Sequence, residues 1–165
     1  MTPWTTSIIV ASDRVLRGEK ANNAGFRAQE LAKEFGCAVV SSTVVAENFE
    51  AIDEALRAAL ESGAQVVIII GATGTHVGNV TPEVSERYVR VRLHGVETQV
   101  LMEGLKNSPK AGLCRGIIGL DHHGGNLIIN SASSRGAVED TLGVVLPLVP
   151  DIFGSCSSGD SKPNH

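Results

Sequence analysis

The chain is expected to fold as a three-layer α/β/α sandwich around a mostly parallel, mixed sheet. Three observations lead there. Short β-branched runs alternate with amphipathic segments at βαβ spacing. One run, Val66 to Ile70, is apolar at every position, as in a strand covered on both faces. A glycine-rich turn follows that run and leads into a helix starting Thr-Pro-Glu.

Ser7 to Ala11 reads as the first buried strand. Ser12 to Gly25 is polar and reads as a loop. Ala28, Leu31, Ala32 and Phe35 then fall on one helical face, and Gly36 provides a stop. Ala38 to Val45 is the second strand. Asn48 caps a second helix whose apolar face is Ile52, Ala55, Leu56 and Ala59, ending at Gly63. After Val66 to Ile70, Thr81 is expected as an N-cap with Pro82 at the first helical position and Glu83 in the first turn. Glu97 to Lys106 forms a further helix. Gly116 to Leu120 and Leu127 to Asn130 pair as a hairpin through Asp121 to Asn126, and a last helix runs from Gly136 to Leu148. Residues 1–153 make one domain. The tail from 154 to 165, rich in Ser, Gly and Pro, is expected to be disordered.

The bulk properties remove several function classes. The chain has 165 residues, 42% hydrophobic and 19% charged, with a net charge of −4. No basic stripe suits nucleic acid. No apolar run reaches the roughly 18 residues a membrane helix needs. The N-terminus lacks the charged start and apolar core of a signal peptide, so the cytoplasm is expected. Cys37, Cys114 and Cys156 are odd in number and widely spaced, which argues against a disulfide framework.

In such a sheet, ligands gather at the carboxyl ends of the strands. Gly71-Ala72-Thr73-Gly74 follows the central strand, and small residues let an anion approach the backbone. Asn130-Ser131-Ala132-Ser133-Ser134-Arg135-Gly136 follows another strand and opens the last helix, with three hydroxyls and a guanidinium that suit a phosphate or a polar heterocycle. Either loop could equally be a plain turn, the second capped by serine. Asp13, Glu47 and Glu83 lie after strands or at a helix start. They read as caps or solvated acids, or as a set that holds Mg²⁺ with a nucleotide. Asp121-His122-His123 looks like a metal cluster, but adjacent side chains in a turn seldom converge on one ion.

Several ordered motifs resemble those of the MogA/MoaB-like molybdopterin-binding family, across about Ser7 to Phe153. Ser12-Asp13-Arg14 resembles its S-D-R, and Asn22 to Gly25 its D-x-S-G. Ala46-Glu47 falls where the family has Pro-Asp. Gly71 to Gly74 with Asn79-Val80-Thr81-Pro82-Glu83 resembles G-G-T-G with D-V-T-P-E. Leu113-Cys114-Arg115 resembles L-S-R, and Asn130 to Val138 resembles N-L-P-G-S-P-G-A-V. The resemblance implies a homotrimer that works with other molybdenum-cofactor biosynthesis proteins. It implies binding of molybdopterin, a pterin dithiolene carrying a phosphate, and transfer of AMP from ATP to that phosphate with Mg²⁺. By resemblance, Asp13, Glu47 and Asn79 are the catalytic positions, with Asp13 and Glu47 on Mg²⁺. Ser12, Gly71, Thr73, Gly74, Thr81, Pro82 and Glu83 bind ligand on one side, and Ser131, Ser133, Ser134 and Arg135 on the other. The sequence departs at two acids, now Asn22 and Asn79. That keeps open a non-catalytic binder, and a scaffold domain without ligand.

Overall fold

The computed structural model describes residues 3–154. The disorder expected for the tail, and Cys156, concern residues outside the described ones. The elements run β1 (Trp4–Ala11), α1 (Asp13–Leu16), α2 (Asn23–Glu34), β2 (Cys37–Val45), α3 (Phe49–Glu61), β3 (Val66–Ile70), α4 (Thr81–Glu86), β4 (Val91–Arg92), α5 (His94–Asn107), β5 (Ile118–Leu120), β6 (Leu127–Ser131), α6 (Arg135–Val145) and α7 (Val149–Ile152). Short 3₁₀ segments lie at Pro109–Leu113, between α5 and β5, and at Leu146–Leu148, between α6 and α7.

The six strands form one mixed sheet in the order β2-β1-β3-β6-β5-β4. β2, β1, β3 and β6 are parallel, and β5 and β4 return antiparallel. This is the expected α/β sandwich. β3 shows why its sequence does not alternate. Val66, Ile68 and Ile70 pack into the core beneath α2 and α6, while Val67 and Ile69 pack on the opposite side with Ile52, Leu56 and Val84 of α3 and α4. Both faces are covered, so both sets must be apolar. Full burial of each such Ile or Leu contributes about 1.5–3 kcal/mol.

Helix boundaries follow local chemistry. Asn48 Oδ1 accepts from Ala51 N at 2.8 Å and starts α3. Gly36 (φ 80°) and Gly63 (φ 89°) take the left-handed conformation that ends α2 and α3. Four expectations need correction. Ser12 to Gly25 is not all loop: Ser12 Oγ accepts from Val15 N at 3.2 Å to cap the single turn α1, and Asn22 Oδ1 accepts from Gly25 N at 3.2 Å to start α2. Phe35 is the C-cap of α2 and 40% exposed, not core. The last helix begins at Arg135 and tightens to 3₁₀ at Leu146, where Pro147 removes a donor. Thr81 is the first residue of α4, after Val80 at the cap, so Pro82 is second.

Because four neighbouring strands are parallel, their carboxyl ends share one edge. That edge carries Ser12 and Asp13 after β1, Glu47 after β2, Gly71 to Gly74 after β3, and Ala132 to Ser134 after β6.

Candidate functional site

The turn after β3 is held open by its carbonyls. Gly71 N donates to Ser131 O at 2.8 Å, which ties β3 to the end of β6. Gly71 has φ 98°, and Ala72, with φ 54°, is the one non-glycine residue at positive φ among the described residues. Thr81 Oγ1 donates to Gly71 O at 2.8 Å and Thr81 N donates to Ala72 O at 3.0 Å. Arg115 N donates to Thr73 O at 2.9 Å, and Arg115 Nε donates to Gly74 O at 2.9 Å. Four consecutive carbonyls are therefore taken by Thr81 and Arg115. The amides of Ala72 and Thr73 are left, and among the described residues no acceptor takes them. Both residues are buried, at 6% and 4% exposure. Unpaired N–H groups are costly in such a place. Successive amides around a left-handed residue form a concavity that suits an anion. Since α4 has only six residues, the loop amides rather than a helix dipole carry this argument.

Asn79 closes the same loop. Its Oδ1 accepts from Gly74 N at 2.9 Å, and its Nδ2 donates to His76 O at 3.2 Å. Both polar ends are spent on loop shape. Glu83 is joined to Arg115, with Nη1 to Oε1 at 2.6 Å, and that hydrogen bond holds the Glu83 carboxyl below the ordinary range. Arg115 Nη2 also donates to Asn79 O at 2.9 Å.

Asp13 and Glu47 converge on the neighbouring strand ends. Asp13 Oδ1 accepts from Glu47 N at 2.9 Å. The Glu47 carboxyl is pushed above the ordinary glutamate value, first by desolvation and then by the Asp13 charge. A carboxyl raised in the fold loses stabilising power as pH climbs from its unfolded value through its folded one. Asp13→Asn should therefore bring Glu47 down toward the ordinary value without restoring it fully, since desolvation remains. A ¹³C NMR titration of the Glu47 carboxyl checks this, and an unmoved midpoint would contradict the like-charge contact. The backbone of Glu47 adjoins the segment that follows the first loop, because a Cβ added at Gly78 would lie 3.3 Å from Glu47 O. Two neighbouring carboxylates are the donor type that Mg²⁺ takes together with phosphate oxygens. No group of three or more acidic, His or Cys side chains converges among the described residues. Asp121 instead serves its turn, accepting from Asn126 N at 2.8 Å and pairing with His122.

The second loop contributes differently from expectation. Ser134 Oγ caps α6 by accepting from Ala137 N at 3.1 Å, and Ser131 Oγ donates to Ala132 O at 3.0 Å. Ser133 is exposed, and its Cβ is 3.7 Å from where a Cβ on Gly71 would lie. Arg135 pairs with Glu139 along the helix surface at 3.2 Å. A cleft of about 1220 Å³ opens beside these loops. Of the expected ligand residues, Thr73, Gly74, Asn79, Ser133 and Ser134 line it. Gly71, Thr81, Pro82 and Ser131 are buried behind it, Glu83 is tied to Arg115, and Ser12, Asp13 and Glu47 stand at the adjoining strand ends. Arg135 is not in the lining.

Two residues outside the expected set shape the site. Arg115 lines the cleft and reaches loop atoms 41 positions away. Asn130 is buried, with Oδ1 accepting from Ile117 N at 3.0 Å and Nδ2 donating to Ser85 Oγ at 2.9 Å. A buried loop with its carbonyls needing donors is the signal for the first, and a lone Asn inside an apolar strand is the signal for the second.

Comparison with known proteins gives a consistent answer. Residues 7–151 match the family model described as "Probable molybdopterin binding domain". The crystal structure of a molybdopterin biosynthesis protein from Mycobacterium abscessus superposes with a TM-score of 0.84 at 28% identity, covering 93% of this chain and 96% of that one. A molybdopterin adenylyltransferase from Helicobacter pylori is 27% identical over 87% of this chain and 82% of its own length. Gephyrin from Dictyostelium discoideum is 28% identical over 94% of this chain, which spans only 23% of gephyrin's length. No helix among the described residues is long and apolar enough to cross a membrane.

Proposed function

Because the chain belongs to the molybdopterin-binding domain family of molybdenum cofactor biosynthesis, we propose that it binds molybdopterin and transfers AMP from ATP to the pterin's phosphate. The observation that carries this reading is the pair of amides at the cleft, Ala72 and Thr73, left without acceptors while the carbonyls of Gly71 to Gly74 are engaged. On this reading the molybdopterin phosphate takes those amides. Ser133 and Ser134 face the same cleft from the second loop and orient the ligand.

Adenylyl transfer brings two polyanions together, so its demands are positioning and charge neutralisation. A phosphate oxygen of molybdopterin attacks the α-phosphorus of ATP, and pyrophosphate leaves. Asp13 and Glu47 would hold Mg²⁺, which supplies neutralising charge to the phosphates. The amides of Ala72 and Thr73 fix the acceptor phosphate.

A second reading, a molybdopterin carrier without turnover, is favoured by Asn79. Its amide occupies both hydrogen-bonding ends and brings no charge. The two readings separate on incubation with ATP, Mg²⁺ and molybdopterin. Adenylylated pterin is expected. Tight pterin binding without product supports the carrier, and neither binding nor product overturns both. On the carrier reading, Asn79→Asp raises Mg²⁺ affinity by about tenfold, the effect of roughly 1.4 kcal/mol, as measured by calorimetric titration. Unchanged affinity would remove Asn79 as the reason for inactivity.

A further inference from the structure

We propose that Arg115 is the positioning residue of the anion loop: by taking the carbonyls of Thr73, Gly74 and Asn79, it keeps the amides of Ala72 and Thr73 presented to a phosphate. The inference rests on the reading that this loop holds a phosphate, and adds how the loop is kept in shape. One residue supplies all three bonds. Its backbone N reaches Thr73 O at 2.9 Å, Nε reaches Gly74 O at 2.9 Å, and Nη2 reaches Asn79 O at 2.9 Å. Nη1 is anchored on Glu83 Oε1 at 2.6 Å. The guanidinium thus spans both ends of the 74–79 segment and joins it to the first turn of α4.

The geometry needs a fork and not just a charge. Planar guanidinium donors lie at fixed angles and can serve two carbonyls and a carboxylate together, which an ammonium on a flexible stem does not reproduce. The peptides that carry the Ala72 and Thr73 N–H groups have their own carbonyls, Gly71 O and Ala72 O, on Thr81, so Arg115 acts on those amides through the shape of the loop. The side chain is 41% exposed, and exposed ion pairs contribute little to global stability. Loss of Arg115 should therefore disturb the loop far more than the fold. Asn130 supports the arrangement from behind, since it fixes Ile117, two residues along the chain from Arg115.

The test uses ¹⁵N-labelled full chain with inorganic phosphate as the probe. In the wild type, phosphate shifts the Ala72 and Thr73 amide resonances. In Arg115→Ala, phosphate affinity falls about tenfold or more, the two amides cease to respond, and the Glu83 carboxyl midpoint rises toward its ordinary value. The unfolding midpoint moves by no more than a few degrees. Arg115→Lys restores charge without the fork and should not recover the affinity. Unchanged phosphate affinity in Arg115→Ala, full recovery by Lys, or collapse of the fold in Arg115→Ala would each overturn the proposal. Molybdopterin separates it from the functional reading. Failure of the wild type to bind molybdopterin, with an Arg115-dependent phosphate response, sinks the functional reading and leaves Arg115's role standing. Equal molybdopterin binding by wild type and Arg115→Ala does the reverse.

Discussion

Gly71→Ala is expected to lose roughly 3 kcal/mol of stability and to abolish ligand binding. Two costs coincide at this position. At φ 98° an L-residue pays the left-handed penalty, about 1–2 kcal/mol. An added Cβ would also lie 2.5 Å from Ala11 O, and that oxygen belongs to the backbone of β1 and cannot swing aside. Forcing an atom into a packed site adds about 1–3 kcal/mol. β1 and β3 would have to part at the strand ends that build the anion loop, so binding fails together with stability. Gly18→Ala is the control. Gly18 also has positive φ (75°), but an added Cβ there meets nothing within 4 Å, so only the dihedral cost remains. Denaturant unfolding of both variants measures the difference. Equal losses would show that the contact with Ala11 O does not matter.

Asn130→Leu is expected to cost roughly 2–6 kcal/mol, about 1–3 kcal/mol for each of the two buried partners it strands. The side chain is 3% exposed, and it satisfies Ile117 N–H on one side and Ser85 Oγ on the other. Leucine has the same branching but is bulkier and has neither polar atom. It leaves the Ile117 amide and the Ser85 hydroxyl without their partner. Adding Ser85→Ala to Asn130→Leu should recover part of the loss, because the second orphan is then gone. A double-mutant cycle by denaturant unfolding reads that coupling, and strict additivity of the two changes would contradict it. Phosphate affinity should fall in Asn130→Leu as well, since Arg115 lies two residues before Ile117.

Much of the fold is legible because it is written in periodicity. The β3 run, the apolar faces of α2 and α3, the Asn48 cap and the stops at Gly36 and Gly63 all report local physics. The ordered motifs identified the family, which the match over residues 7–151 bears out. What escaped was either too short or too long in range. β4 is two residues long, with no period to detect, and owes its existence to pairing with β5. α1 is a single turn made by the Ser12 cap, without an apolar face. Thr81 has the composition of a cap, yet its hydroxyl is drawn to Gly71 O across the loop, so tertiary contact decided its role.

The site divides the same way. Sequence spacing brought Asp13 and Glu47 to one edge, and the structure joins them through the Asp13 carboxylate and the Glu47 amide. It also located the loop from Gly71 to Gly74. In the fold Arg135 pairs with Glu139, one helical turn ahead on the same face. Sequence spacing undervalued Arg115, because nothing local connects that residue to a loop 41 positions earlier. Asn79 changed meaning most. At the level of sequence it is an absent acid. In the fold it is a brace between Gly74 N and His76 O, so its amide has a use of its own.

The central claim is that this chain holds molybdopterin through its phosphate on the amides of Ala72 and Thr73. The most direct measurement is a calorimetric titration of the protein with molybdopterin and with the same pterin lacking its phosphate. A saturable isotherm is predicted for the phosphorylated ligand, with affinity at least about tenfold weaker, or roughly 1.4 kcal/mol, for the dephosphorylated one. Equal affinity for the two, or no binding of either, would contradict the account.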